Sequence, residues 1–169
     1  MIKKQTGANQ YFVHPTAVIG QNVTIGNNCY IGPLCIIGYP AEWKGKEDID
    51  MGVMICDNVR LTGLVTIDSG AEHKTIIGQN SYLMKHSYIA HDSIIGENVT
   101  ICAGAKIGGH VVIENDCNLG MNSTIHQRVT IPKGCMIGAS AFIGKKTELK
   151  PYRKYAGVPA KDIGENIKI

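Results

Sequence analysis

Large aromatic residues are scarce: the 169 residues include 2 phenylalanines and 1 tryptophan. A core without them must be filled with aliphatics, which suits a narrow, repetitive interior better than a broad sandwich. No stretch approaches the ~18 consecutive apolar residues of a membrane helix, so membrane insertion is not expected. The opening segment, MIKKQTGANQYFVHP, lacks the apolar run of an export signal. A formal net charge of only +3 names no polyanionic partner, and nucleic-acid binding is not expected. A cytoplasmic location follows by default, where the six cysteines (29, 35, 56, 102, 117 and 135) stay reduced. There is no CxxC pair for thiolate zinc or redox chemistry and no GxSxG elbow for a serine nucleophile. Segments with a 3.6-residue period are also missing, which removes a doubly wound α/β fold.

What is present is a period of six. From Ile77 every sixth residue is Ile or Leu: Ile77, Leu83, Ile89, Ile95, Ile101, Ile107, Ile113, Leu119, Ile125, Ile131, Ile137 and Ile143. The same register runs through Ile19, Ile25, Ile31 and Ile37, and again through Ile55, Leu61 and Ile67. Two residues earlier stands a small or β-branched side chain, such as Ala17, Cys29, Ser93 or Val111, and glycine often follows the aliphatic. Alternation along a short strand puts both positions on one face. This predicts an all-β triangular prism, with three hexads per 18-residue coil and coils stacked ~4.8 Å apart. About seven coils would span on the order of 35 Å. Cys29, Cys35, Cys117 and Cys135 fall at the small inner position and read as core filler.

The period breaks in two places before it ends. An insertion at about 39–52 (YPAEWKGKEDIDMG) carries Trp43, two lysines and four acids, and a second lies between Ile67 and Ile77. Insertions in a regular scaffold are where function concentrates. The division expected is a β-helix over 1–149 and a tail, or short helix, over 150–169. Lys145, Lys146, Lys150, Arg153, Lys154 and Lys161 stand against Glu148 alone in the seventeen residues from 145 to 161. Such a cluster suits phosphate groups, through charge-assisted hydrogen bonds, or is a solvated basic tail.

Stacking by 18 groups three histidines. His91, Gly109-His110 and His126-Gln127 share one edge in three adjacent coils, with glycine leaving a notch between polar positions. Imidazole is the usual general base for activating a hydroxyl or amine. Without a nucleophile, direct transfer with a histidine base is the simplest chemistry, and the amide of Gly109 is the expected oxyanion donor.

The segment SYIAHDSIIGENVTICAGAKIGGHVVIENDCNLGMNSTIHQ and the loop GYPAEWKGKE resemble the UDP-N-acetylglucosamine O-acyltransferases of lipid A biosynthesis, within the hexapeptide-repeat acyltransferases. The resemblance covers roughly residues 13 to 145. It implies a left-handed parallel β-helix and a homotrimer with active sites between subunits. By position it implies His91 as base, Asp92 as its support, His110 near the acyl chain, and Glu42, Lys44, His126 and Gln127 toward the sugar. Tyr88 stands where the family has a sugar-binding histidine, Glu42 replaces an aspartate, and the family's C-terminal helical domain has no counterpart. The ending RKYAGVPAKDIGENIKI is instead similar to the GxPAK ending of acetyl-CoA-dependent hexapeptide acetyltransferases. It implies acetyl-CoA as co-substrate, with Lys145, Arg153, Lys154, Pro159 and Lys161 as its contacts. An acyl carrier protein would also fit the basic patch.

The expectation is thus acyl transfer, acetyl from acetyl-CoA, to a hydroxyl or amine of a sugar or nucleotide-sugar, without a metal. A competing reading is a zinc lyase similar to γ-class carbonic anhydrases, since His86 and His91 have the spacing of one ligand pair there. Its third histidine has no counterpart between His14 and His73.

Overall fold

The computed structural model describes residues 10–167; part of the opening segment read for an export signal, residues 1–9, lies outside them. The chain winds as a left-handed β-helix of about eight turns. Short strands repeat every six residues and stack into three faces, parallel in every pairing but the last of the first face. The first face holds nine strands, from Phe12–Val13 to Ala160–Glu165. The second holds seven, from Val18–Ile19 to Phe142–Ile143. The third holds six, from Val23–Ile25 to Thr130–Ile131. Register is 18 residues where no insertion intervenes: Leu83 pairs with Ile101, Ile89 with Ile107, and Ile95 with Ile113.

The inner aliphatics have no route to water. Ile31, Leu61, Ile89, Ile107, Leu119 and Ile143 are fully buried. Burying each contributes about 1.5–3 kcal/mol. At the corners the chain must turn tightly, and one residue per hexad takes a left-handed conformation; Asn80, His86, Asp92, Asn98 and His110 have φ between 55° and 62°. Asn, Asp and His tolerate that region better than bulkier residues.

The corner between the third and first faces carries an amide ladder. The Nδ2 of Asn58 donates to Asn80 (3.1 Å), Asn80 to Asn98 (3.1 Å), and Asn98 to Asp116 (3.0 Å). Lys133 Nζ closes it, 3.4 Å from the far oxygen of Asp116.

The tail is not a short helix. Arg153–Gly157 and Ala160–Glu165 form an antiparallel hairpin, the first strand pairing in parallel with Met136–Ile137. The reason lies in the period itself. Six and twelve residues past Ile143 come Leu149, packed against the core, and Tyr155, 1% exposed in its interior. The prism therefore runs past residue 149, and the tail completes it.

Candidate functional site

The site forms on the corner between the second and third faces. His91 follows the strand Tyr88–Ile89 and Asp92 occupies the left-handed position. One coil further, Gly109 lies over His91 and His110 over Asp92. A Cβ on Gly109 would fall 2.6 Å from Cε1 and 2.7 Å from Nε2 of His91, so glycine is what admits the imidazole. We expect Gly109→Ala to push His91 off its position and lower turnover by about 10²-fold with the melting temperature little changed. Unaltered turnover would show that the ring's placement is not critical.

Asp92 is held from every side. Its Oδ2 is 2.7 Å from His91 Nδ1, and its Oδ1 accepts the amides of Ala71 (3.1 Å), Glu72 (2.8 Å) and His73 (2.8 Å). Burial alone would raise this carboxyl, but the His73 amide, the His91 imidazole and the other two amides outweigh it and hold Asp92 at about 2. Asp92 is therefore an anion throughout the neutral range, able to orient His91 and to stabilise its protonated form. The three amides belong to the second insertion, so that loop builds the support of the dyad. Its position was invisible to an 18-residue count because the insertion breaks the count.

Trp43, from the first insertion, stacks on His91 with ring centres 5.0 Å apart and meets His110 edge-on at 5.7 Å. His73 adds a third imidazole, 5.9 Å from His110. Burial pushes the His110 imidazole down from its ordinary range. Its Nε2 is buried without a hydrogen bond, 3.6 Å from Asp92 Oδ2 and 3.9 Å from Glu72 Oε2. The sequence marks Trp43 only as part of the first insertion, and it does not single out His73, Glu72 and Asp68. The only signal was their membership of the two insertions and, for Asp68, its place just before the second.

Tyr88 donates to the buried Asp68 at 2.5 Å. Burial raises Asp68 to about 6, the Tyr88 bond opposing it, and burial likewise raises the Tyr88 hydroxyl. Glu42 and Lys44 are exposed on the first loop, beside Trp43. His86 and His91 stand at different corners, after the strands Tyr82–Leu83 and Tyr88–Ile89, so one chain does not bring them to one ion.

His126 and Gln127 continue the same corner, followed one coil later by Lys145. Here a cavity of about 720 Å³ opens between the last coil and the hairpin. His126, Phe142, Lys145, Lys146, Lys150, Pro159 and Lys161 line it, with Glu148 and Asp162. Arg153 and Lys154, expected among the coenzyme contacts, are placed elsewhere. Arg153 makes a two-pronged bond to Asp162 at 2.8 Å, a fixed planar pair. Lys154 pairs in register with Met136 on the first face.

Comparison with known proteins agrees with the fold. The bacterial transferase hexapeptide family (six repeats) matches residues 74–109 and 110–145, and the hexapeptide repeat of succinyl-transferase matches 16–41. No curated protein sequence matches the chain. Among solved structures, a UDP-N-acetylglucosamine acyltransferase from Bacteroides fragilis superposes with a TM-score of 0.88 at 25% identity, covering 94% of this chain and 62% of that one. The enzyme of the same name from Campylobacter jejuni gives 0.78 and 27%, covering 92% and 66%. A structure from Acinetobacter baumannii gives 0.73 and 26%, covering 94% and 73%. The chain thus spans 62–73% of the length of these relatives. Coils built on a six-residue period, matched by the transferase repeats and by these structures, make the chain a member of the hexapeptide-repeat acyltransferases.

Proposed function

We propose that the protein transfers an acetyl group from acetyl-CoA to a hydroxyl or amine of a sugar or nucleotide-sugar, in one step and in the cytoplasm. The observation that carries this reading is the column on one corner: the His91–Asp92 dyad, Gly109 above it, then His126-Gln127, then the lysine-lined cavity. Three coil spacings of ~4.8 Å separate His91 from Lys145, ~14 Å in all. A coenzyme whose phosphates sit among Lys145, Lys146 and Lys161 would lay its pantetheine arm along the corner, with the thioester reaching His91. His91 takes the acceptor proton through Nε2 as the acceptor oxygen or nitrogen attacks the thioester carbon. The amide of Gly109 stabilises the oxyanion, and the thiolate leaves. Tyr88, Glu42 and Lys44, at the loop side of the corner, orient the sugar. The names of the structural relatives support a nucleotide-sugar acceptor.

The active assembly would be a homotrimer with sites between subunits. The outward side chains of the third face, Met54, Ile76, Ile94 and Val112, make a half-buried apolar stripe beside the dyad. A partner covering it would wall the site.

Thioesters tested against nucleotide-sugars for release of free thiol decide the activity. Within that assay, Lys145→Ala and Lys161→Ala should each raise the KM for acetyl-CoA about tenfold, in line with charge-assisted bonds of 1.5–3 kcal/mol, while the acceptor KM holds. Unchanged donor kinetics would remove the cavity from the mechanism. Activity with an acyl carrier protein alone would replace the donor. Deleting the tail is a poorer test, because it takes Tyr155 out of the core.

A further inference from the structure

The dyad explains His91 and Asp92 but leaves the nitrogen above them unused. His110 Nε2 has no hydrogen bond, although its atom is buried and two carboxylates face it: Asp92 Oδ2 at 3.6 Å and Glu72 Oε2 at 3.9 Å. These separations are too long for hydrogen bonds. They are close to the ~3.4 Å edge between ligands of a tetrahedral zinc ion with bonds of ~2.1 Å.

We infer that the imidazoles of His91 and His110 and a carboxylate oxygen of Asp92 form a site for a divalent ion of the zinc type, which the nearby Glu72 carboxylate can close, and that occupancy suppresses transfer at His91. Three observations support it. Nδ1 or Nε2 of His91 and His110 and an oxygen of Asp92 all lie within 4.8 Å of one another, a separation that one ion can bridge. Imidazole with carboxylate is the donor set that zinc accepts in open sites, water completing the shell. Finally, the three grouped residues are fixed and a fourth can adapt: Asp92 is wholly buried and His91 and His110 are 12% and 11% exposed, whereas the Glu72 side chain is 49% exposed and can close on an ion. Cysteines do not compete: Cys29, Cys35, Cys117 and Cys135 are buried in the prism core, and the half-buried Cys56 and Cys102 stand on the other two corners.

The effect on activity rests on the base mechanism proposed above. Asp92 Oδ2 also holds His91 Nδ1 at 2.7 Å. An ion drawing on the same oxygen withdraws the charge that stabilises protonated His91, so transfer slows without any change in donor binding. This is an inhibitory site, separate from any cofactor role.

The test uses the full chain, freed of metal by chelator and titrated calorimetrically with zinc chloride, and with cobalt chloride read by visible absorption. One ion per chain is expected, with a cobalt spectrum of nitrogen and oxygen ligation and no thiolate charge-transfer band. Glu72→Gln and His110→Ala should each weaken binding at least about tenfold. Glu72→Gln should keep transferase turnover in chelated buffer and lose inhibition by zinc. Absence of binding, or binding undiminished in both variants, overturns the site. Binding lost in both variants while no thioester is consumed would keep the site and overturn the transferase reading. Transfer unaffected by bound zinc would overturn the inhibitory role.

Discussion

His91→Ala should lower kcat by ~10²–10⁴, the usual worth of a positioned general base. The acceptor KM should move little, because the proton leaves in the transition state and other groups carry binding. The fold should persist: the His91 side chain lies outside the aliphatic stack, between Trp43 and Gly109. His110→Ala and His126→Ala should cost less, since water can partly replace a positioning group. Steady-state kinetics on the three variants decide the matter. Wild-type kcat in His91→Ala, with either of the others inactive, would move the base elsewhere on the corner. His91 is the cleaner target of the dyad, because Asp92 also accepts three amides of the second loop. Removing that carboxylate would disturb loop and chemistry together.

Tyr155→Ala should destabilise the protein by about 3–5 kcal/mol, the cost of deleting a large buried ring. Tyr155 is 1% exposed, and its hydroxyl accepts the Lys150 amide at 2.6 Å. Tyr155→Phe keeps the ring and loses that bond, so it should cost about 0.5–1.5 kcal/mol. Urea unfolding gives the totals. Because a coil touches only its neighbours, the loss should be concentrated in the last turns, and amide exchange along the hairpin would locate it. A Tyr155→Ala protein of unchanged stability would mean that the hairpin does not belong to the cooperative fold.

The prism was legible because one aliphatic in six fixes both strand and facing, and this argument needs no tertiary information. The same arithmetic set His91 under Gly109 and His110 beside them. It failed where spacing stops being constant. Asp92 was visible as the neighbour of His91, but its three amide donors come from a loop whose extra residues shift the count. Trp43 was visible as the sole tryptophan, and nothing local said that it would lie on His91. The end of the repeats was misplaced for a different reason. Leu149 and Tyr155 keep the six-residue step, but a tyrosine does not look like a member of an Ile/Leu series, so the period alone does not mark the hairpin as part of the prism. The charge cluster is legible as a count but not as a set of partners: Asp162, nine residues on, pairs with Arg153 across the hairpin.

The amide ladder bears on how such a protein can change. Its rungs join Asn28 to Asn58 across 30 residues, Asn58 to Asn80 across 22, and Asn80 to Asn98 across 18. The two longer strides contain the two insertions, yet the amides meet again on the far side. Each loop is thus a closed excursion whose length is forgotten one corner later. The cavity beside the hairpin and the prism core are indifferent to what the loops contain, while Trp43 and the Asp92 anchors depend on nothing else. New acceptor preferences can therefore be written into the loops, as interchangeable text on an unaltered page.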